Sequence, residues 1–119
     1  MVYLFVLGRI LLGGYFIMSG YNHFKNLEGN TGYAASKGIP MPKVAVMVSG
    51  LMMLVGGLGI ISGTAMNLSV ILVAVFLVVT TFTMHQYWKI TDPMQKMGEQ
   101  INFFKNLGLL GAMLMLLNF

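Results

Sequence analysis

MNLSVILVAVFLVVTTFTMHQYW, residues 66–88, decides the fold. Residues 68–84 carry no charge. They are rich in Val, Leu, Ile and Phe all round, so a helix built from them has no face for water. The run matches the roughly 20 residues that a helix needs to cross about 30 Å of hydrocarbon. Polarity then returns abruptly as His85-Gln86-Tyr87-Trp88-Lys89. Tyr and Trp favour the lipid–water boundary, with Lys just beyond it. One end of this helix is therefore marked as an interface, and the rest of the chain aligns against it.

Composition points the same way. Of 119 residues, 57% are hydrophobic and 8% charged, where a soluble domain carries about 25% charged residues. An apolar, water-soluble four-helix bundle is the weaker reading. The fold class expected is all-α, an integral membrane four-helix bundle in one domain. Its spans fall at about 2–21, 43–62, 66–88 and 101–119, which leaves little for an extramembrane domain. The first span lacks a basic leader and a small-residue cleavage site, so it reads as a retained helix rather than a signal peptide. Zero cysteines exclude a disulfide or an iron–sulfur cluster held by this chain alone. The net charge of +4 is carried mainly between apolar spans and is no nucleic-acid signal. Twelve Met read as adaptable membrane filler rather than a copper site.

Taken in order, the first span sets Gly13, Phe16 and Gly20 on one face, at spacings of three and four. Small residues let membrane helices approach closely, so Arg9 is expected to point toward the bundle. Residues 22–41 read as a loop holding a short surface helix, capped by Asn30 or Thr31 and stopped by Gly38. Pro42 suits the first turn of the second span. That span is rich in glycine, with Gly59 and Gly63 in a small-xxx-small spacing. Residues 63–67 form a tight uncharged turn. Residues 89–100 read as a second loop, although Asp92-Pro93 has the form of a helix start. Gly108, Gly111 and Ala112 make a small-residue patch on the fourth span. Basic residues gather on one side: Lys25, Lys37, Lys43, Lys89 and Lys96, with Lys105 near. The positive-inside rule then sets both long loops in the cytoplasm and both termini outside.

Chemistry-bearing residues meet at that cytoplasmic end. His23 closes the first span, His85 and Trp88 close the third, and Asn102, Lys105 and Asn106 open the fourth. His23, His85, Trp88, Lys105 and Asn106 are the candidate pocket for a polar head such as a quinone ring or an anionic lipid. The competing reading is interfacial anchoring and interhelical hydrogen bonding. A bis-His haem at His23 and His85 wants deeper, facing ligands, and two His without Cys do not fill a zinc site. No metal is expected. Arg9, an ionisable group inside a span, is a candidate partner contact. It has snorkelling, backbone carbonyls, the Phe119 carboxylate or a neighbouring chain's acid as alternatives. Neither a Ser–His–Asp arrangement nor a phosphate loop is present, so catalysis by this chain alone is not expected.

The sequence resembles the DoxX family. The resemblance rests on Leu7-Gly8-Arg9-Ile10, Gly20, Lys37-Gly38-Ile39-Pro40, Ser49-Gly50, His85 and Lys105-Asn106-Leu107. It implies a small four-helix membrane protein, related to the membrane subunit of a thiosulfate:quinone oxidoreductase. The role implied is an accessory subunit of a quinone-linked oxidoreductase, with a quinone as ligand and no cofactor of the chain's own. A structural subunit packing on a larger complex is the alternative. The expected partners are the lipid bilayer, other membrane subunits or a second copy, and the expected site is the inner membrane. Where the family often carries an acid after Ser-Gly, this chain has Leu51-Met52-Met53. With Met53 at that position, an Arg–acid pair does not carry over.

Overall fold

The computed structural model describes residues 2–117. Among these, five α-helices and no strand occur: α1 (Val2–Lys25), α2 (Leu27–Ser36), α3 (Pro42–Ser62), α4 (Met66–Met84) and α5 (Pro93–Met115). A single 3-10 turn, Tyr87–Lys89, lies between α4 and α5. The all-α membrane class stands. Three segments are long and apolar enough to cross a bilayer: Val2–Lys25, Pro42–Ser62 and Met66–Lys89. α5 is not among them over the described residues, since Glu99, Gln100, Asn102, Lys105 and Asn106 crowd its first half. The end of the expected 101–119 span, and with it the Phe119 carboxylate, lies outside the described residues.

α1 and α3 run antiparallel with backbones nearly touching. A methyl group placed on Gly20 would lie 2.7 Å from the Gly50 carbonyl, and one on Gly57 would lie 2.7 Å from the Gly13 carbonyl. The glycine face read from the sequence is this seam, for Gly13, Phe16 and Gly20 are the buried residues of α1. α3 and α4 form a hairpin through a turn that Gly63 allows by adopting φ 76°. Gly59 faces Ser69 across this hairpin, and Gly56 faces Val73. α4 in turn carries α5, which buries Glu99, Phe103, Asn106 and Met113 along one face. Phe16, Met53, Ile60, Val70, Val73, Leu77 and Met113 form the core. Burial of such side chains gives less in lipid than in water, so close backbone fit carries more of the packing here.

Four boundaries differ from the sequence reading. α1 continues past residue 21 to Lys25, and α2 starts after Asn26 rather than at Asn30 or Thr31. Neither break contains a proline, and helix geometry persists through polar residues once water can solvate them. The stop at Gly38 is as expected: it takes φ 78° while its N–H bonds the Ala35 carbonyl. Residues 89–100 are not a loop throughout, because α5 begins at Pro93, where Asp92 Oδ2 accepts from the Gln95 N–H at 3.0 Å. The Asp-Pro signal was the correct boundary and the hydropathy edge at residue 101 was not. α4 itself stops at Met84, so His85 stands just past the helix end.

Candidate functional site

The basic ends of the helices enclose a cavity of about 450 Å³, within the range of small-ligand sites. α1 contributes Phe16, Ser19 and His23, and α2 roofs it with Asn30, Tyr33 and Ala34. α3 adds Val46, Ser49 and Met53; α4 adds Phe76, Thr80 and Thr83, followed by His85. α5 presents Lys105, Asn106 and Leu109. The inner part is apolar and the rim toward α2 is polar. Val48 on α3 and Val75 and Val79 on α4 also line it while being half exposed, so the cavity reaches the lateral surface of the bundle.

His23, His85, Lys105 and Asn106 therefore share one space. Trp88 does not join them. It packs edge-on against Tyr87 and Phe103 and stays outside the cavity, because the 3-10 turn swings it away from the helix axis. It belongs to an aromatic belt that also includes Phe82 and Phe104.

Asn106 is 7% exposed and its amide makes no hydrogen bond among the described residues. Its amide N–H groups can therefore donate to an acceptor inside the cavity. Lys105 stands beside it with no carboxylate in contact among the described residues. His23 Nδ1 donates to the Ser19 carbonyl at 2.8 Å, and its ring leans on Phe76.

The residue that the sequence reading passed over is Glu99. Its carboxylate takes the Tyr33 hydroxyl at 2.5 Å, Lys37 Nζ at 2.6 Å, Asn102 Nδ2 at 3.0 Å and His85 Nδ1 at 3.2 Å. Burial by itself pushes Glu99 upward, but the bonds from Lys37, Tyr33 and Asn102, with His85 beside them, outweigh it and hold the carboxyl at about 2. Tyr33 moves the other way: burial and the adjoining carboxylate keep its phenol neutral well above the usual range. One carboxylate thus ties α2, α5 and the end of α4 around the cavity mouth. The signal that would have found it is the Asp92-Pro93 helix start, which puts Glu99, Phe103 and Asn106 on one face at spacings of four and three.

Arg9 lies at the opposite end of the bundle. Its guanidinium donates to the Ile61 carbonyl at 3.0 Å and packs against Gly63, at the C-terminus of α3. Cations are favoured at that helix pole. Nε is buried without a partner. Of the acceptors weighed for Arg9, a backbone carbonyl of the same chain is the one observed. Met53 is buried in the core. Among the described residues no group of three or more His, Cys, Asp or Glu is arranged to hold a metal.

Comparison with known proteins agrees with this architecture. The DoxX family model matches residues 4–86. Inner membrane protein YphA of Escherichia coli (strain K12) is 30% identical over 114 residues, covering 95% of this chain and 80% of the relative. No solved structure matches.

Proposed function

The chain belongs to the DoxX family of integral membrane proteins, and from that premise we propose that its cavity receives the ring of a quinone as part of a membrane oxidoreductase assembly. The observation that carries this reading is the pairing of an apolar chamber with unengaged polar groups, Asn106 and Lys105, in a space that reaches the lateral surface. A quinone has the matching shape: an isoprenoid tail soluble in hydrocarbon and a flat ring with acceptor oxygens. The tail leaves past Val48, Val75 and Val79 into lipid, and one ring oxygen accepts from the Asn106 amide and the Lys105 ammonium. The protein is the lipid-embedded accessory chain, and electron transfer belongs to its partner subunit.

The same reading sets the chain in the inner membrane, like its relative, with the lysine-rich loops in the cytoplasm. The experiment is extraction in mild detergent followed by mass spectrometry of bound lipophiles. A quinone should co-purify with the unmodified protein and be lost, at least about tenfold, from Asn106→Leu and Lys105→Met variants that still fold. A large complex isolated with no lipophile on this chain would instead establish the structural-subunit role.

A further inference from the structure

The two histidines of the cavity are both committed at Nδ1. The Ser19 carbonyl can only accept, so His23 Nδ1 must carry the hydrogen of their 2.8 Å bond. Glu99 is ionised, as the Lys37 contact at 2.6 Å requires of a pair so placed, and so it too can only accept. His85 Nδ1 must then carry the hydrogen at 3.2 Å. A neutral imidazole with its hydrogen on Nδ1 has a bare lone pair on Nε2. Neither Nε2 meets a hydrogen-bond partner among the described residues, and both rings line the cavity. The chamber therefore offers donors, from Asn106 and Lys105, and also two fixed acceptors.

A ring bearing only carbonyl oxygens uses the donors and leaves both imidazole lone pairs empty. A ring bearing hydroxyl groups uses both kinds of group. We propose that this site selects the hydroxylated form of its ligand, a hydroquinone or related phenol, through hydroxyl donation to His23 or His85 Nε2. Glu99 is the positioning residue: it touches no ligand, but it holds the hydrogen on His85 Nδ1 and so leaves Nε2 as the acceptor. This inference rests on the quinone reading of the cavity and narrows it to the reduced partner. No bond is made or broken and no electron moves in the binding step.

The test uses the full chain in lipid nanodiscs, with empty nanodiscs to subtract partition into lipid. Three probes are compared by affinity-selection mass spectrometry: a decyl-substituted benzoquinone, the matching hydroquinone kept reduced under nitrogen, and the dimethyl ether of that hydroquinone. The ether keeps ring, tail and oxygens but has no hydroxyl hydrogen. The hydroquinone should be retained about tenfold or more over the ether, the size expected for a hydrogen bond lost in a buried site. His23→Phe or His85→Phe should lower the hydroquinone-to-benzoquinone retention ratio. The comparison on the unmodified protein stands by itself if either variant fails to fold. Equal retention of all three probes overturns the inference and leaves the quinone reading intact. Retention of none of them overturns both.

Discussion

Glu99 shows how much one side chain can hold. Its four partners come from α2 and the residue after it, from the end of α4, and from α5 itself. Hydrogen bonds to a charged group contribute about 1.5–3 kcal/mol each when buried, and shared ones less. Glu99→Gln should therefore lower stability by about 2–3 kcal/mol in thermal unfolding in detergent. The carboxyl sits at about 2 when folded against an ordinary 4.5. Its contribution is complete above about pH 4.5 and is lost as pH falls toward 2, because the unfolded carboxylate binds its proton first. The unfolding temperature of the unmodified protein should fall across that window, and Glu99→Gln should flatten the fall. Arg9 is the second case. With the Ile61 carbonyl as acceptor, Arg9→Leu should destabilise the bundle by about 1–2 kcal/mol and leave sedimentation unchanged. A change in sedimentation with unaltered unfolding would return Arg9 to a partner role. The sequence made His23, His85, Lys105 and Asn106 legible, because polar residues at the ends of apolar spans stand out. It hid Glu99, because hydropathy assigned that residue to a loop and an acid in a loop carries no expectation.

At the scale of helices, the α1–α3 seam depends on absent side chains. Gly20→Ala would drive a methyl to 2.7 Å from the Gly50 carbonyl and 3.0 Å from the Leu54 nitrogen, both backbone atoms with no room to yield. We expect about 1–3 kcal/mol of destabilisation, the usual range for overpacking. Gly14→Ala, on the open side of the same helix, has nothing within 4 Å. It should be neutral or slightly stabilising, since alanine favours helix. Denaturant titration of the two variants side by side separates packing from propensity. Here the sequence was informative about the face, through the spacing of Gly13, Phe16 and Gly20, because glycine in an apolar helix has few other uses. It was uninformative about helix ends such as Lys25 and Pro93, where propensity and hydropathy change at different residues.

For the molecule as a whole, the distribution of lysines predicts the direction across the bilayer. The lysine-bearing loops and the cavity mouth share one end, and the α3–α4 turn with Arg9 is at the other. A chain without cysteine suits a direct test of orientation. Ser36→Cys, on exposed α2, should resist a membrane-impermeant maleimide in intact cells, and Thr64→Cys, in the exposed turn, should react. The opposite pattern would invert the orientation. Overall architecture was the most legible level of all, since apolar length in a chain with 8% charged residues leaves few alternatives. The role of α5 was the least, because a helix that is half polar satisfies neither the rule for spans nor the rule for loops.

The α1–α3 seam also bears on biogenesis. α1 leaves the ribosome before α3, yet the groove that receives its glycines belongs to α3. At ordinary synthesis rates the delay before that groove exists is on the order of seconds. During it, α1 resides in the bilayer as a lone helix with its docking face bare, beside nascent neighbours displaying the same face. The connecting segment, closed by α2, keeps the correct α3 at high local concentration once it inserts. Lengthening that tether with a flexible insert at Gly38 should therefore slow maturation and raise the share of strand-exchanged dimers on native gels, even if the finished bundle is equally stable.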